Sequence, residues 1–185
     1  MSTPTEVSAL GDMDVRCLAA GAEKSACINS YGELFTFGSS KNSSMMAADG
    51  SGFKDNLKLP AMFESETLNF TKVDVGLMHI AAITEDGRLF TMGASEFGKL
   101  GHPVKVKSDT EVTEEAERYR KAGYRPGQLG RSKPAIGFVE GELTGKKVVQ
   151  VACGDKHTVC VTADGSVYSW GSGKMGALGH NDSED

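Results

Sequence analysis

Apolar residues along this chain come in short runs that alternate with small or polar ones, and the runs occur in pairs. Within Glu33 to Phe37, Leu34 and Thr36 fall on one side of an extended strand and Phe35 and Phe37 on the other. That period of two marks a β-strand. The pattern returns at Leu89, Phe90, Thr91 and Met92, and again at Val167, Tyr168, Ser169 and Trp170. Each run is the second arm of a hairpin whose turn holds Tyr31-Gly32, Asp86-Gly87 or Asp164-Gly165. Asp-Gly suits a two-residue type I′ turn, whose central residues take positive φ. Tyr31-Gly32 brings only the glycine. Bulk on both sides of a strand predicts sheets covered on both faces, as in stacked propeller blades, and not an open sheet with one wet face.

The hairpins are copies of one unit. Moving Gly154–His180 back by 78 residues lays it on Gly76–His102, and a further 55 lays it on Gly21–Ser39. Gly21, Gly76 and Gly154 open the unit, Gly32, Gly87 and Gly165 make its turn, and Gly38, Gly93 and Gly171 close it. An internal repeat decides the architecture ahead of local propensity. The expected fold is therefore all-β, a partial β-propeller of about three four-stranded blades.

Residues 1–14 read as a flexible leader, 15–59 as repeat one, 60–102 as repeat two, 103–133 as a helical insertion and 134–185 as repeat three. Pro60 and Pro134 each head an extended segment, and a proline at the start of a strand or on an edge is tolerated because no ladder donor is needed there. Each proline strand is predicted to begin its repeat, followed by the strand before the opening glycine and then the hairpin. In the insertion, Ser108-Asp-Thr-Glu111 is a capping-box pattern. Val112, Ala116 and Tyr119 share one face of the short helix that follows, which ends by Gly123. That helix and the polar loop 40–58 are the variable parts of the repeat, and Val112, Ala116 and Tyr119 are the candidate partner contacts.

Composition narrows the function classes. Glycine supplies 23 of 185 residues, which suits many turns, and the net charge of −5 comes with no basic cluster to hold a nucleic acid. No apolar run reaches the roughly 18 residues of a membrane helix, and the first residues lack the apolar run of a secretory signal. Cys17, Cys27, Cys153 and Cys160 form no CxxC pair, and Cys27 and Cys160 share one mid-strand repeat position. They read as reduced core thiols, which fits a cytoplasmic or nuclear location.

At Gly154, His157-Thr158, Asp164-Gly165, Trp170-Gly171 and Gly176-Ala-Leu-Gly179 the chain resembles the regulator of chromosome condensation repeat family. Repeat two matches at Gly76, His79, Asp86-Gly87, Gly93 and Gly98-Lys-Leu-Gly101. Repeat one keeps the glycines but has Lys24 for the histidine. The resemblance implies a β-propeller, usually of seven four-stranded blades, whose loops meet protein partners. Members include the exchange factor for the small GTPase Ran and scaffold or ubiquitin-ligase subunits. Seven blades need roughly 350 residues, so the expectation is a longer protein, or blades supplied by a partner.

Possible catalytic signals read more simply as structure. Gly93 to Lys99 has the GxxxxGK spacing of a phosphate loop, but Leu100 stands where Ser or Thr would meet magnesium. His79 and His157 share a repeat position with no carboxylate or cysteine at a common offset, so they read as structural; so do His102 and His180 at the loop end. No Gly-x-Ser-x-Gly elbow occurs. Trp170 is the one tryptophan; it reads as strand packing, since a light-sensing relative would need a cluster. The reading is a non-enzymatic protein–protein interaction scaffold with no cofactor and no metal. Its partners would be proteins, a small GTPase or the rest of the propeller among them, with no nucleic acid and no membrane. The alternatives are a guanine-nucleotide exchange factor for a Ran-like GTPase and a structural subunit of a cytoskeletal or organellar assembly. A chromatin role is weakest, because residues 1–14 hold three acids and no base.

Overall fold

The computed structural model describes residues 3–22, 24–38, 68–103 and 134–180. Ten strands occur among them: β1 Val15–Ala20, β2 Lys24–Asn29, β3 Leu34–Gly38, β4 Phe70–Val75, β5 His79–Thr84, β6 Leu89–Ala94, β7 Pro134–Phe138, β8 Val148–Cys153, β9 His157–Thr162 and β10 Val167–Gly171. They form three antiparallel sheets, β1-β2-β3, β4-β5-β6-β7 and β8-β9-β10. The only helical pieces among the described residues are single 3₁₀ turns. The helical insertion with Val112, Ala116 and Tyr119, the loop 40–58 and the segment after Pro60 lie outside the described residues.

The sheets stack in chain order, β4 against β1 and β2, then β8 against β5 and β4. Alternation along each strand builds two cores. Ala26, Ile28 and Leu34 of the first sheet meet Val73, Val75, Ile80, Phe90 and Met92 of the second. The other face of the second sheet, Ala81, Ile83 and Leu89, meets Val148, Cys160, Tyr168 and Trp170 of the third. The second sheet is therefore covered on both faces, and β5 is buried along its whole length. Phe70, Phe90 and Phe138 add tilted and edge-on ring contacts, with centroids 5.6 and 5.5 Å apart.

Two expectations are corrected. The strand headed by Pro134 does not begin the third repeat. It pairs with β6, Ala94 opposite Pro134 and Phe90 opposite Phe138, and closes the second sheet as its fourth strand. A sheet edge is where a residue without an N–H is harmless, so residues 134–138 belong with repeat two. The hairpin turns are also not two-residue type I′. Only Gly87 and Gly165 have positive φ there, 87° and 86°, while Asp86 and Asp164 do not. Gly87 N–H donates to the Thr84 carbonyl and Thr84 N–H to the Arg88 carbonyl. That is a three-residue loop, a type I turn followed by a left-handed glycine.

In both of these hairpins a threonine hydroxyl donates to the turn aspartate, Thr84 to Asp86 and Thr162 to Asp164, the latter at 2.6 Å. The Thr162 hydroxyl and the Ser166 backbone N–H hold the Asp164 carboxyl down to about 2. The first hairpin lacks that pair. Asn29 stands in for both residues: its Oδ1 accepts from the N–H groups of Tyr31 and Glu33, each at 3.0 Å, and its Nδ2 donates to Glu33.

Candidate functional site

The repeat-defining residues gather at the joint between the second and third sheets. His79, Thr158 and Lys99 are almost fully buried there, at 0%, 0% and 1% exposure. The Thr158 hydroxyl donates to the Lys99 carbonyl at 2.8 Å. Its one proton is thereby used, so at 2.9 Å His79 Nε2 must be the donor to Thr158 Oγ1. Trp170 Nε1 donates to the same Lys99 carbonyl at 3.0 Å. His79 Nδ1 is left a bare acceptor with no partner, facing Gly76, where an added Cβ would lie 2.8 Å from it. Burial, with Lys99, His157 and Lys24 nearby, holds the His79 imidazole down to about 4. It is neutral at pH 7 and serves as a latch between blades.

A lysine whose side chain gives a failed phosphate-loop match turns out to matter through its carbonyl. The tail after β6 that presents this carbonyl is tied back by Thr91, whose hydroxyl donates to the Leu100 carbonyl at 2.6 Å. Burial pulls the Lys99 ammonium below its ordinary range, opposed by the Glu96 carboxylate 3.7 Å away. Trp170 lies over Gly101, where a Cβ would be 2.7 Å from its indole nitrogen. Asp74 was not singled out by the sequence pattern. It crosses the same joint, accepting the Cys153 backbone N–H at 2.5 Å, and Lys72 donates to the Val149 carbonyl at 2.6 Å. The thiols are confined: burial pushes Cys153 up to about 12 and Cys160 to about 11.

The opening glycines converge. A Cβ on Gly21 would sit 2.7 Å from the Gly76 carbonyl oxygen, and one on Gly76 would sit 2.4 Å from that of Gly154. Backbone touches backbone from one sheet to the next, and only glycine allows it. The closing glycines Gly38, Gly93 and Gly171 have φ of 121°, 128° and 113°. At Gly93 and Gly171 an added Cβ would strike the first residue of the neighbouring strand, His79 or His157.

At the end of the sheets where the glycines converge, the loops make a rim. Leu77, Phe97 and Met175 are exposed on it, at 37%, 39% and 100%. Phe97 and Met175 hold the same repeat position, both with left-handed backbone, φ 62° and 64°, an unfavourable region for a side chain. Lys156 Nζ lies 5.4 Å from the Phe97 ring centroid. His102 packs on Gly137, and His180 contacts the Ser169 hydroxyl at 3.0 Å. Among the described residues no group of three or more His, Cys, Asp or Glu could hold a metal ion. No helix among them is long and apolar enough to cross a membrane.

A profile of the regulator of chromosome condensation (RCC1) repeat matches residues 148–177, the run that holds His157, Thr158 and Trp170. Residues 148–177 thus match an RCC1 repeat, and the chain resembles a fragment of an RCC1-repeat propeller. It is similar to the E3 ubiquitin-protein ligase HERC2 of Homo sapiens, 30% identical over 188 residues, covering 100% of this chain and 3% of that one. It is 28% identical to the RCC1 domain-containing protein 1 of Mus musculus, over 93% of this chain and 48% of that protein. The crystal structure of Prp20p from Saccharomyces cerevisiae superposes with a TM-score of 0.64 at 21% identity, covering 93% of this chain and 36% of that one. The chain thus spans about half or less of the length of these relatives. The likeness to Prp20p is one of fold, and the latch and glycine contacts show how this sequence builds it.

Proposed function

We propose that these RCC1 repeats form a non-enzymatic protein–protein interaction module that holds its partner on the rim carrying Leu77, Phe97 and Met175. One observation carries this reading. The polar side chains His79, Thr158, Thr84 and Asp86 are spent on joints and turns, while the rim holds two apolar side chains in left-handed backbone. Unfavourable backbone kept at an exposed loop tip is a mark of a functional position, and exposed apolar residues beside cations such as Lys156 suit a protein surface.

The similar Prp20p is described with binding properties to Gsp1p and histones, which supports a protein partner and supplies probes. Purified Gsp1p and histone octamer, titrated against the chain by calorimetry, test the reading. Binding of either, lost in the Phe97→Asp/Met175→Asp double variant and kept in Tyr31→Asp on the opposite rim, is the expected result. Binding unaffected by the double variant overturns the rim as the contact. Acceleration of nucleotide release from Gsp1p overturns the non-enzymatic reading in favour of exchange.

A further inference from the structure

At the rim, the joint between the second and third sheets ends in a small group of charges around one ring. Phe97 stands in the turn after β6, 39% exposed. The turn between β8 and β9 brings Lys156 to it, with Nζ 5.4 Å from the ring centroid. Leu77, 37% exposed, lies on the turn between β4 and β5. Lys99, in the same turn as Phe97, is buried, its side chain 1% exposed. The group lies between two packed sheets, so its exposure is that of the rim and not of an end of the stack.

The charges in this group are unevenly answered. Glu96 Oε2 lies 3.7 Å from Lys99 Nζ, longer than a hydrogen bond, and the Glu96 side chain is 40% exposed. Burial pulls the Lys99 ammonium down, Glu96 opposes this, and the Lys156 ammonium adds to the fall, so the two lysines share one neighbourhood. Among the described residues Lys156 has no carboxylate within ion-pair distance, the exposed Asp155 included. An exposed ammonium beside an aromatic ring selects a carboxylate, and Phe97 and Leu77 select an apolar side chain next to it. Two lysines are too few for a polyanion, because a nucleic acid or an anionic bilayer draws its affinity from several basic residues at once.

We propose that this stretch of the rim takes an acidic segment of a protein partner, an Asp or Glu beside a large apolar side chain, with the partner's carboxylate on Lys156 and its apolar side chain on Phe97 and Leu77. The inference rests on the rim reading above and adds the chemistry of the partner. Lys99 contributes through its charge, which water screens little because the side chain is buried. Glu96 works against the partner: its carboxylate already answers Lys99 and repels an incoming one, so it tempers the affinity of the site.

Selection of a random peptide library displayed on phage against the 185-residue protein tests this, with synthetic copies of the selected peptides measured by fluorescence anisotropy. The selected peptides are expected to carry Asp or Glu next to Phe, Leu or Met, and to bind more weakly as salt is added. Lys156→Glu should weaken them roughly tenfold, Lys156→Arg should keep them, and Glu96→Gln should strengthen them roughly threefold. Circular dichroism checks that each variant is folded, and Lys156→Gln replaces Lys156→Glu if the latter is not. Selected peptides without acids that are still lost in the Phe97→Asp/Met175→Asp double variant overturn this inference and leave the rim reading standing. Acidic peptides indifferent to Lys156→Glu overturn it as well, and peptides indifferent to the double variant overturn both. A library that yields no binder overturns the inference. A DNA duplex or phosphatidylserine vesicles bound as tightly as the peptides, with the same dependence on Lys156, overturn the protein partner in favour of a polyanion.

Discussion

Thr158→Val removes the centre of the latch while keeping shape and volume nearly constant. The Thr158 hydroxyl makes two hydrogen bonds, at 2.9 Å with His79 Nε2 and at 2.8 Å with the Lys99 carbonyl. The two losses are unequal. The Lys99 carbonyl keeps the Trp170 indole N–H at 3.0 Å, so it stays satisfied. His79 Nε2–H is left without a partner in a site with no solvent access, and an orphaned buried donor costs about 1–3 kcal/mol. The expected destabilisation is therefore about 2 kcal/mol, or a Tm lower by roughly 4–8 °C in a chain of this size.

Urea unfolding followed by tryptophan fluorescence reads this directly, because Trp170 sits in the same joint. A double-mutant cycle then separates the latch from simple packing. In a His79→Leu background the donor is already gone, so adding Thr158→Val should cost less than about 0.5 kcal/mol, leaving a coupling of about 1.5 kcal/mol. If Thr158→Val alone lies within about 0.5 kcal/mol of wild type, or costs the same in both backgrounds, the latch does not hold the blades together.

Stability should fall in mild acid through His79. Its folded value of about 4 lies below the ordinary 6.5, so the unfolded chain binds the proton more readily, and the contribution is complete above pH 6.5 and lost as pH falls toward 4. The upper bound is roughly 3 kcal/mol, and His79→Leu should flatten the urea-midpoint curve over that window. Gly76→Ala places a methyl 2.4 Å from the Gly154 carbonyl oxygen and should cost at least about 3 kcal/mol, with amide protection lost first in the third sheet by hydrogen exchange. Met175→Asn should raise stability by about 0.5 kcal/mol in the same urea assay, since asparagine tolerates left-handed backbone better and the methionine side chain is fully exposed. Cys153 and Cys160, pushed up to about 12 and 11, should resist iodoacetamide at pH 8 in the folded chain and react on adding urea.

The hairpins were legible because burial on both faces imposes a strict period of two, as at Leu34 to Phe37 and Val167 to Trp170. The glycines were legible because three copies align, although their reason, carbonyl against Cα between sheets, appears only when the sheets are stacked. Three things were not legible. The pairing of the Pro134 strand depends on which neighbour has a free edge, a tertiary fact that no local pattern records. The turn type depends on one φ value: Asp-Gly is compatible with both hairpin loops, and the threonine before each aspartate was the clue to the longer one. The role of Lys99 was hidden because a carbonyl is common to every residue.

The first joint shows that the latch follows a rule the sequence could have revealed. Where the second sheet carries His79, the third carries Thr158; where the first carries Lys24 in the histidine position, the second carries Ile80 in the threonine position. Both halves are present at one joint and both are absent at the other. A histidine facing isoleucine would bury an orphaned donor, and a threonine without the histidine would lose half its reason to be buried, so a single change is penalised and a paired change is not. Ile80, at 1% exposure, instead packs with Ala26, Ile28 and Val75 in the hydrophobic cluster between the first two sheets. The unit of constraint in this fold is therefore not the repeat but the seam between repeats, and the identity of one blade's histidine position predicts its neighbour's next residue. Replacing His79 and Thr158 together with Leu and Val should accordingly leave the chain more stable than His79 facing Val alone.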